Sequence, residues 1–220
     1  MFVCKRMTKN LITVNKEVSI SDAMEVMRIS KIRRLPVVDK EKLVGIVTDR
    51  DLHIASPSYA STLSKFEANY LLTKMKVSEI MSKDVLTVKE SATIEEVALI
   101  MYKNKIGGVP VVSDDDSQKL VGIITETDIF KILVDMMGLP KGKIRITATF
   151  KDRMGMLADI GMVFKTLNQN ITSFAILGED ENSNQDMKEI VIRGDFENTN
   201  DIKDKLEEIG FSVIDITKIS

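Results

Sequence analysis

The chain has 220 residues, 44% of them hydrophobic and 29% charged, with a net charge of −2 at pH 7. That length suffices for two or three compact units, and the charge gives no positive field to attract nucleic acid. A single cysteine (Cys4) and a single histidine (His53) exclude an intrachain disulfide and a Cys/His metal cluster. No metal site is expected. No apolar run reaches about 20 residues, and Met1-Phe2-Val3-Cys4-Lys5-Arg6 lacks the apolar core of a signal peptide. A cytoplasmic protein without a membrane partner is expected.

Along the chain, an internal repeat governs the first two thirds. The stretch from Met7 to Val14 recurs from Met81 to Val88, at an offset of 74. Ile20, Ala23, Met24 and Met27 recur as Ile94, Val97, Ala98 and Met101, spaced as one apolar stripe of a helix. Ser19-x-x-Asp22 and Thr93-x-x-Glu96 precede these stripes as capping patterns. Then Lys31-Ile32-Arg33-Arg34-Leu35-Pro36-Val37-Val38 matches Lys105-Ile106-Gly107-Gly108-Val109-Pro110-Val111-Val112. The second copy gains an acidic turn, Asp114-Asp115-Asp116. The segment Gly45-Ile46-Val47-Thr48-Asp49-Arg50-Asp51 then matches Gly122-Ile123-Ile124-Thr125-Glu126-Thr127-Asp128. Each copy reads as strand, helix, strand, turn, strand, helix. One such unit is short for a stable core, so the two should pack on each other.

Between the copies, residues 56–61 form a small-residue linker. After it Leu63, Phe66, Tyr70 and Leu71 share one helical face, which predicts a packing helix with buried aromatics. Gly138-Leu139-Pro140-Lys141-Gly142 marks a boundary by its turn residues. Beyond it Ile144, Ile146, Ala148 and Phe150 alternate with polar neighbours, as in a strand wet on one face. A helix carrying Leu157, Ile160, Phe164 and Leu167 follows. Two strands, residues 171–177 and 187–193, flank an acidic loop at 179–186. A helix with Ile202, Leu206 and Ile209 leads to a last strand. This βαββαβ order specifies a ferredoxin-like sandwich. The expected class is α+β, with units at 1–76, 77–138 and 143–220.

The two Gly-h-h-Thr-x-x-Asp segments (h apolar), each preceded by an h-Pro-Val-Val strand, resemble the CBS domain, and their pairing resembles a Bateman module. The likeness covers about residues 1–137 and looks most like the acetoin-utilisation B family. Asp152-Arg153-Met154-Gly155-Met156-Leu157 resembles the motif of the ACT domain.

Two readings of the Thr–Asp pairs stand side by side. Thr48-x-x-Asp51 and Thr125-x-x-Asp128 have the spacing of helix capping boxes. The same carboxylates could accept hydrogen bonds from both hydroxyls of a ribose, with the threonines near phosphate at the helix start. The CBS resemblance implies a nucleotide pocket at these residues. It further implies an adenine sandwiched by Arg34, Leu35 and Pro36 in one site and by Gly108, Val109 and Pro110 in the other. Thr13 and Thr87 would face the same clefts. Arg33, Arg34 and Arg50 suit phosphate, so the first site should take the more phosphorylated ligand, unless these arginines are merely solvated. The second could take a less charged adenosyl compound such as S-adenosylmethionine. The ACT resemblance implies an amino-acid or dimer site at Asp152, Met154 and Gly155, which serve equally well as plain helix-start residues.

The expected function is non-catalytic: a regulatory sensor of AMP, ADP, ATP or S-adenosylmethionine. It would need no cofactor beyond that ligand, and would form a homodimer. A structural dimerisation module with degenerate pockets and an acetoin-pathway enzyme are the alternatives. No nucleophile–base pair or Walker-type loop supports the enzyme.

Overall fold

The computed structural model describes residues 1–56, 64–139, 141–178 and 187–218. Much of the expected linker, Leu63, Pro140 and the acidic loop at 179–186 lie outside them. The chain divides into two units, Met1–Ile129 and Phe130–Ser220.

In the first unit, equal local signals give equal elements. Copy one contains β1 (Val14–Asn15), α1 (Ile20–Ser30), β2 (Arg34–Asp39), β3 (Lys42–Thr48) and α2 (Asp49–Ala55). Helices α3 (Lys65–Lys74) and α4 (Val77–Ile80) follow. Copy two contains β4 (Val88–Lys89), α5 (Ile94–Asn104), β5 (Gly108–Val112), β6 (Leu120–Thr125) and α6 (Glu126–Met136). The Ser19 hydroxyl accepts from the Asp22 amide at 3.1 Å to start α1. At α5 the Thr93 hydroxyl accepts from the Glu96 amide at 3.2 Å, while Glu96 accepts from the Thr93 amide at 2.8 Å. Both helices end on a left-handed lysine, Lys31 and Lys105. Their apolar stripes are buried: Ile20, Ala23 and Met27 in one copy, Ile94, Val97 and Met101 in the other. Each copy forms a three-stranded sheet, β1-β2-β3 and β4-β5-β6, whose first strand is parallel to the second.

The sequence copies and the spatial halves do not coincide. Val3 is fully buried, and its amide donates to the Ala92 carbonyl of copy two at 2.9 Å. Thr8 pairs with Ile123, beside β6, by amide–carbonyl bonds of 2.9 and 3.1 Å. In mirror fashion the Val77 amide donates to the Val18 carbonyl of copy one at 2.9 Å, and Ser82 pairs with Ile46 on β3. Each opening segment is therefore built into the other copy. Two glycines make room for it. A Cβ on Gly45 would lie 2.4 Å from Met81 Sδ, and one on Gly122 would lie 2.3 Å from Met7 Sδ.

Helix α3 departs from expectation. Phe66 and Tyr70 are 88% and 62% exposed; Leu72 and Met75 pack on the copy-one core in their place. The aromatic stripe marks a face of the helix but not the face that the protein covers.

The second unit begins within α6, ahead of the Gly138 turn where the sequence places the boundary. The Ser173 hydroxyl donates to the Met137 carbonyl at 2.7 Å and ties the end of α6 to this unit. Then come β7 (Ile144–Lys151), α7 (Met156–Thr166), β8 (Ser173–Leu177), β9 (Met187–Gly194), α8 (Thr199–Glu208) and β10 (Ser212–Lys218). The antiparallel sheet runs β10-β7-β9-β8. Alternation puts Ile146, Ala148, Phe150, Ile190 and Ile192 on one face. There they form a single core with Ile160 and Phe164 of α7 and Ile202 and Leu206 of α8. Thr147 and Arg193 are also buried, and Thr147 Oγ1 and Arg193 Nε and Nη1 have no hydrogen-bond partner among the described residues. Burial, followed by the nearby Arg145, pushes the Arg193 guanidinium below its ordinary pKa.

Candidate functional site

The first unit holds two adjoining clefts. Along β2 the side chains alternate: Leu35 and Val37 enter the core, and Arg34 and Pro36 reach a cleft. Along β5, Val109 and Val111 are fully buried while Gly108 and Pro110 border a cleft. The side chains of Leu35 and Val109, expected beside the adenine, therefore lie in the core and border neither cleft, as a strand's period of two requires. Thr13 and Thr87 border neither cleft. The apolar pairs just before them do: Leu11 and Ile12 in one, Val85 and Leu86 in the other. The two-residue strands β1 and β4 begin after these threonines, so the preceding extended residues form the rims. An apolar pair at the same place in both copies was the available signal.

The grouping of site residues by copy is also corrected. One cleft, of about 540 Å³, sets Ile12 and Pro36 of copy one against Thr125, Glu126 and Asp128 of copy two. The other, of about 460 Å³, sets Thr48 and Arg50 of copy one against Leu86, Gly108 and Pro110 of copy two. The exchange of opening segments explains this. Residues 8–14 run from β6 of copy two to β1 of copy one, and so edge a cleft with one wall from each.

Both aspartates cap their helices. Asp51 Oδ2 accepts from the Thr48 amide at 2.8 Å and from its hydroxyl at 2.7 Å. Asp128 Oδ2 accepts from the Thr125 amide at 2.9 Å and from its hydroxyl at 2.7 Å. While these bonds hold, each threonine hydroxyl offers only acceptor lone pairs to a ligand. Capping occupies one oxygen of each carboxylate, and Oδ1 has no hydrogen bond among the described residues. Asp128 borders its cleft and Asp51 does not. In copy two, therefore, one side chain both caps a helix and borders a cavity, with one oxygen left uncommitted by the cap.

The cations are distributed unequally. Arg33 and Arg34 border both clefts, Arg50 and Lys105 only the Thr48 cleft, and Lys31 only the Asp128 cleft. The arginine pair is thus not private to one site. None of Arg33, Arg34 and Arg50 forms a side-chain hydrogen bond or ion pair among the described residues. Glu126, which the sequence reading passed over, brings a second carboxylate to the Asp128 cleft.

In the second unit Asp152 is ion-paired with Lys188, Met154 is exposed, and Gly155 caps α7 at φ 83°. A cavity of about 640 Å³ is lined by Leu157, Ile160 and Phe174, and Asp152, Met154 and Gly155 do not border it. Among the described residues no group of His, Cys, Asp and Glu could hold a metal ion. No described helix is long and apolar enough to cross a membrane.

Paired, interlocked repeats with twin clefts define a tandem CBS module. Residues 3–57 and 77–135 match the CBS domain family, and the chain belongs to it. The chain is 32% identical over 138 residues to a CBS domain-containing protein of Dictyostelium discoideum, covering 62% of this chain and 94% of that one. It is 40% identical over 124 residues to an inosine-5'-monophosphate dehydrogenase of Methanocaldococcus jannaschii. That match covers 56% of this chain but only 22% of the enzyme. Among solved structures it resembles the CBS domain pair of protein MJ0100 in complex with 5'-methylthioadenosine and S-adenosyl-L-methionine. There the TM-score is 0.51 at 32% identity, covering 61% of this chain and 97% of the other. It also resembles a protein assigned to acetoin utilisation (AcuB) from Vibrio cholerae. That TM-score is 0.52 at 34% identity, over 64% of this chain and 95% of the other.

Proposed function

We propose that this chain is a non-catalytic regulatory sensor whose two clefts take adenine nucleotides or adenosyl ligands. The observation that carries the reading is the Asp128 cleft, where an apolar wall of Ile12 and Pro36 faces a carboxylate with one uncommitted oxygen. A cavity of about 540 Å³ falls within the usual range for small-molecule sites of roughly 300–1,000 Å³. The wall suits a flat heterocycle, Asp128 Oδ1 can accept from a ribose diol, and Arg33 and Arg34 can donate to phosphate. Thr48, Arg50, Gly108 and Pro110 form the corresponding surface of the second cleft. The likeness to a CBS pair in complex with methylthioadenosine and S-adenosylmethionine supports the ligand class. Such a ligand regulates by binding one state of the module more tightly than another. The βαββαβ stretch at 143–220 is read as a ferredoxin-like, ACT-type domain for amino-acid sensing or dimerisation, and a homodimer is the expected assembly.

Asp128→Asn tests the reading. Asparagine keeps an oxygen for the Thr125 amide and replaces the uncommitted acceptor with a donor. Hydrogen bonds to charged groups contribute about 1.5–3 kcal/mol, so calorimetric affinity for S-adenosylmethionine, AMP or ATP at that cleft should fall at least tenfold. Unchanged affinity would leave Asp128 a cap only. A melting-temperature panel of the wild type covers the degenerate-pocket alternative, because ligand at one hundred times its dissociation constant stabilises by about 2.7 kcal/mol.

A further inference from the structure

We infer that Arg34 is a single cation shared by the two clefts, so that an anionic ligand in one weakens binding of an anionic ligand in the other. The inference rests on the sensor reading. It begins with a break in the repeat: Arg33-Arg34 in copy one stands where copy two has Gly107-Gly108.

Arg34 starts in the Thr48 cleft, since its backbone pairs with Thr48 across β2 and β3. Its side chain then crosses the two glycines. A Cβ on Gly108 would lie 2.9 Å from Arg34 Cδ, and one on Gly107 would lie 2.0 Å from Nη2. No other residue at 107 would let the guanidinium through without displacing it. Beyond the glycines stands Glu126, whose Oε2 is 2.7 Å from that same Cβ position on Gly107. The guanidinium thus reaches the Asp128 cleft, beside a carboxylate that opposes an incoming anion.

A guanidinium binds phosphate through a directed fork of N–H donors, and one fork cannot serve two ligands at once. A phosphate in the Thr48 cleft that draws Arg34 toward itself removes from the Asp128 cleft the guanidinium standing beside Glu126, leaving Arg33 and Lys31. With that cation withdrawn, Glu126 opposes a second anionic ligand more strongly. The Thr48 cleft keeps Arg50 and Lys105 in either case. The pair is therefore suited to one phosphorylated ligand together with one uncharged adenosyl ligand, rather than two phosphorylated ones.

The test uses the full chain and calorimetric titration with ATP and, separately, 5'-methylthioadenosine. Arg50→Glu disables the Thr48 cleft for ATP, and Asp128→Asn disables the other. Adding Arg34→Met should lower the remaining ATP affinity at least tenfold in both backgrounds, and Arg34→Lys should restore part of it. A loss confined to one background would show a private arginine and overturn the sharing. In the wild type the second ATP should bind at least tenfold more weakly than the Asp128 cleft binds ATP in the Arg50→Glu background. Two ATP molecules binding independently, or methylthioadenosine binding without any ATP binding, would overturn the sharing and leave the sensor reading standing. Absence of binding by both probes would sink that reading and the sharing with it.

Discussion

The two copies of the first unit share a scaffold and differ in their cleft walls. Both begin their first helix on a hydroxyl cap, end it on a left-handed lysine and bury the same apolar stripe. Both seat the partner copy's methionine on a glycine. They part at Arg33-Arg34 against Gly107-Gly108, and at Arg50 against Thr127. What recurs is what the backbone needs in order to fold; what diverges lies where a ligand would be held.

The same comparison ranks the effects of mutation. The largest is expected at the start of the closing helices. Leu52 is 1% exposed, whereas its counterpart Ile129 is only partly buried. Leu52→Ala should lower stability by about 2–5 kcal/mol, and Ile129→Ala by less, as read by urea denaturation. Equal losses would mean that the two cores are more alike than their burial indicates. Next come the glycine seats. Gly45→Ala forces Met81 aside and also crowds the Ser82 carbonyl at 3.1 Å, while the three atoms nearest a Cβ on Gly122 all belong to the Met7 side chain. Overpacking costs about 1–3 kcal/mol, and a backbone atom yields less than a thioether, so Gly45→Ala should be the costlier change. The reverse order would show that the Met7 seat is the more rigid. The smallest effect concerns the first caps. The Glu96 carboxyl, held below its ordinary 4.5 by the Thr93 amide and then by the Thr93 hydroxyl, is favoured in its ionised form by folding. Its contribution is therefore present above the unfolded pKa and is lost as pH falls through the lower folded value. An NMR titration should place its midpoint below 4.5, and Thr93→Ala, which removes the hydroxyl but keeps the amide, should raise it part of the way; an unchanged midpoint would exclude the hydroxyl as a cause.

Local periodic features were legible in the sequence. The repeat, the caps at Ser19 and Thr93, and the alternating strand at Ile146, Ala148 and Phe150 each rest on neighbours within a few residues. The crossing of the clefts was not legible, because it depends on Thr8 meeting Ile123 and Ser82 meeting Ile46, contacts far apart in sequence with no local mark. The inward turn of the Leu35 and Val109 side chains was hidden because a continuous apolar run conceals the period of two. Phe66 and Tyr70 were misplaced because a helical stripe does not reveal whether anything covers it. The capping and ligand readings of Asp128 proved compatible, since a carboxylate has two oxygens and the cap takes one.

The interlocking of opening segments means that neither half is self-sufficient. A chain severed at the junction between the copies would yield two pieces, each without the segment that completes its sheet and each with half the lining of two hollows. The pieces would have to find each other again before either hollow existed, so an insertion or nick there should act on both at once.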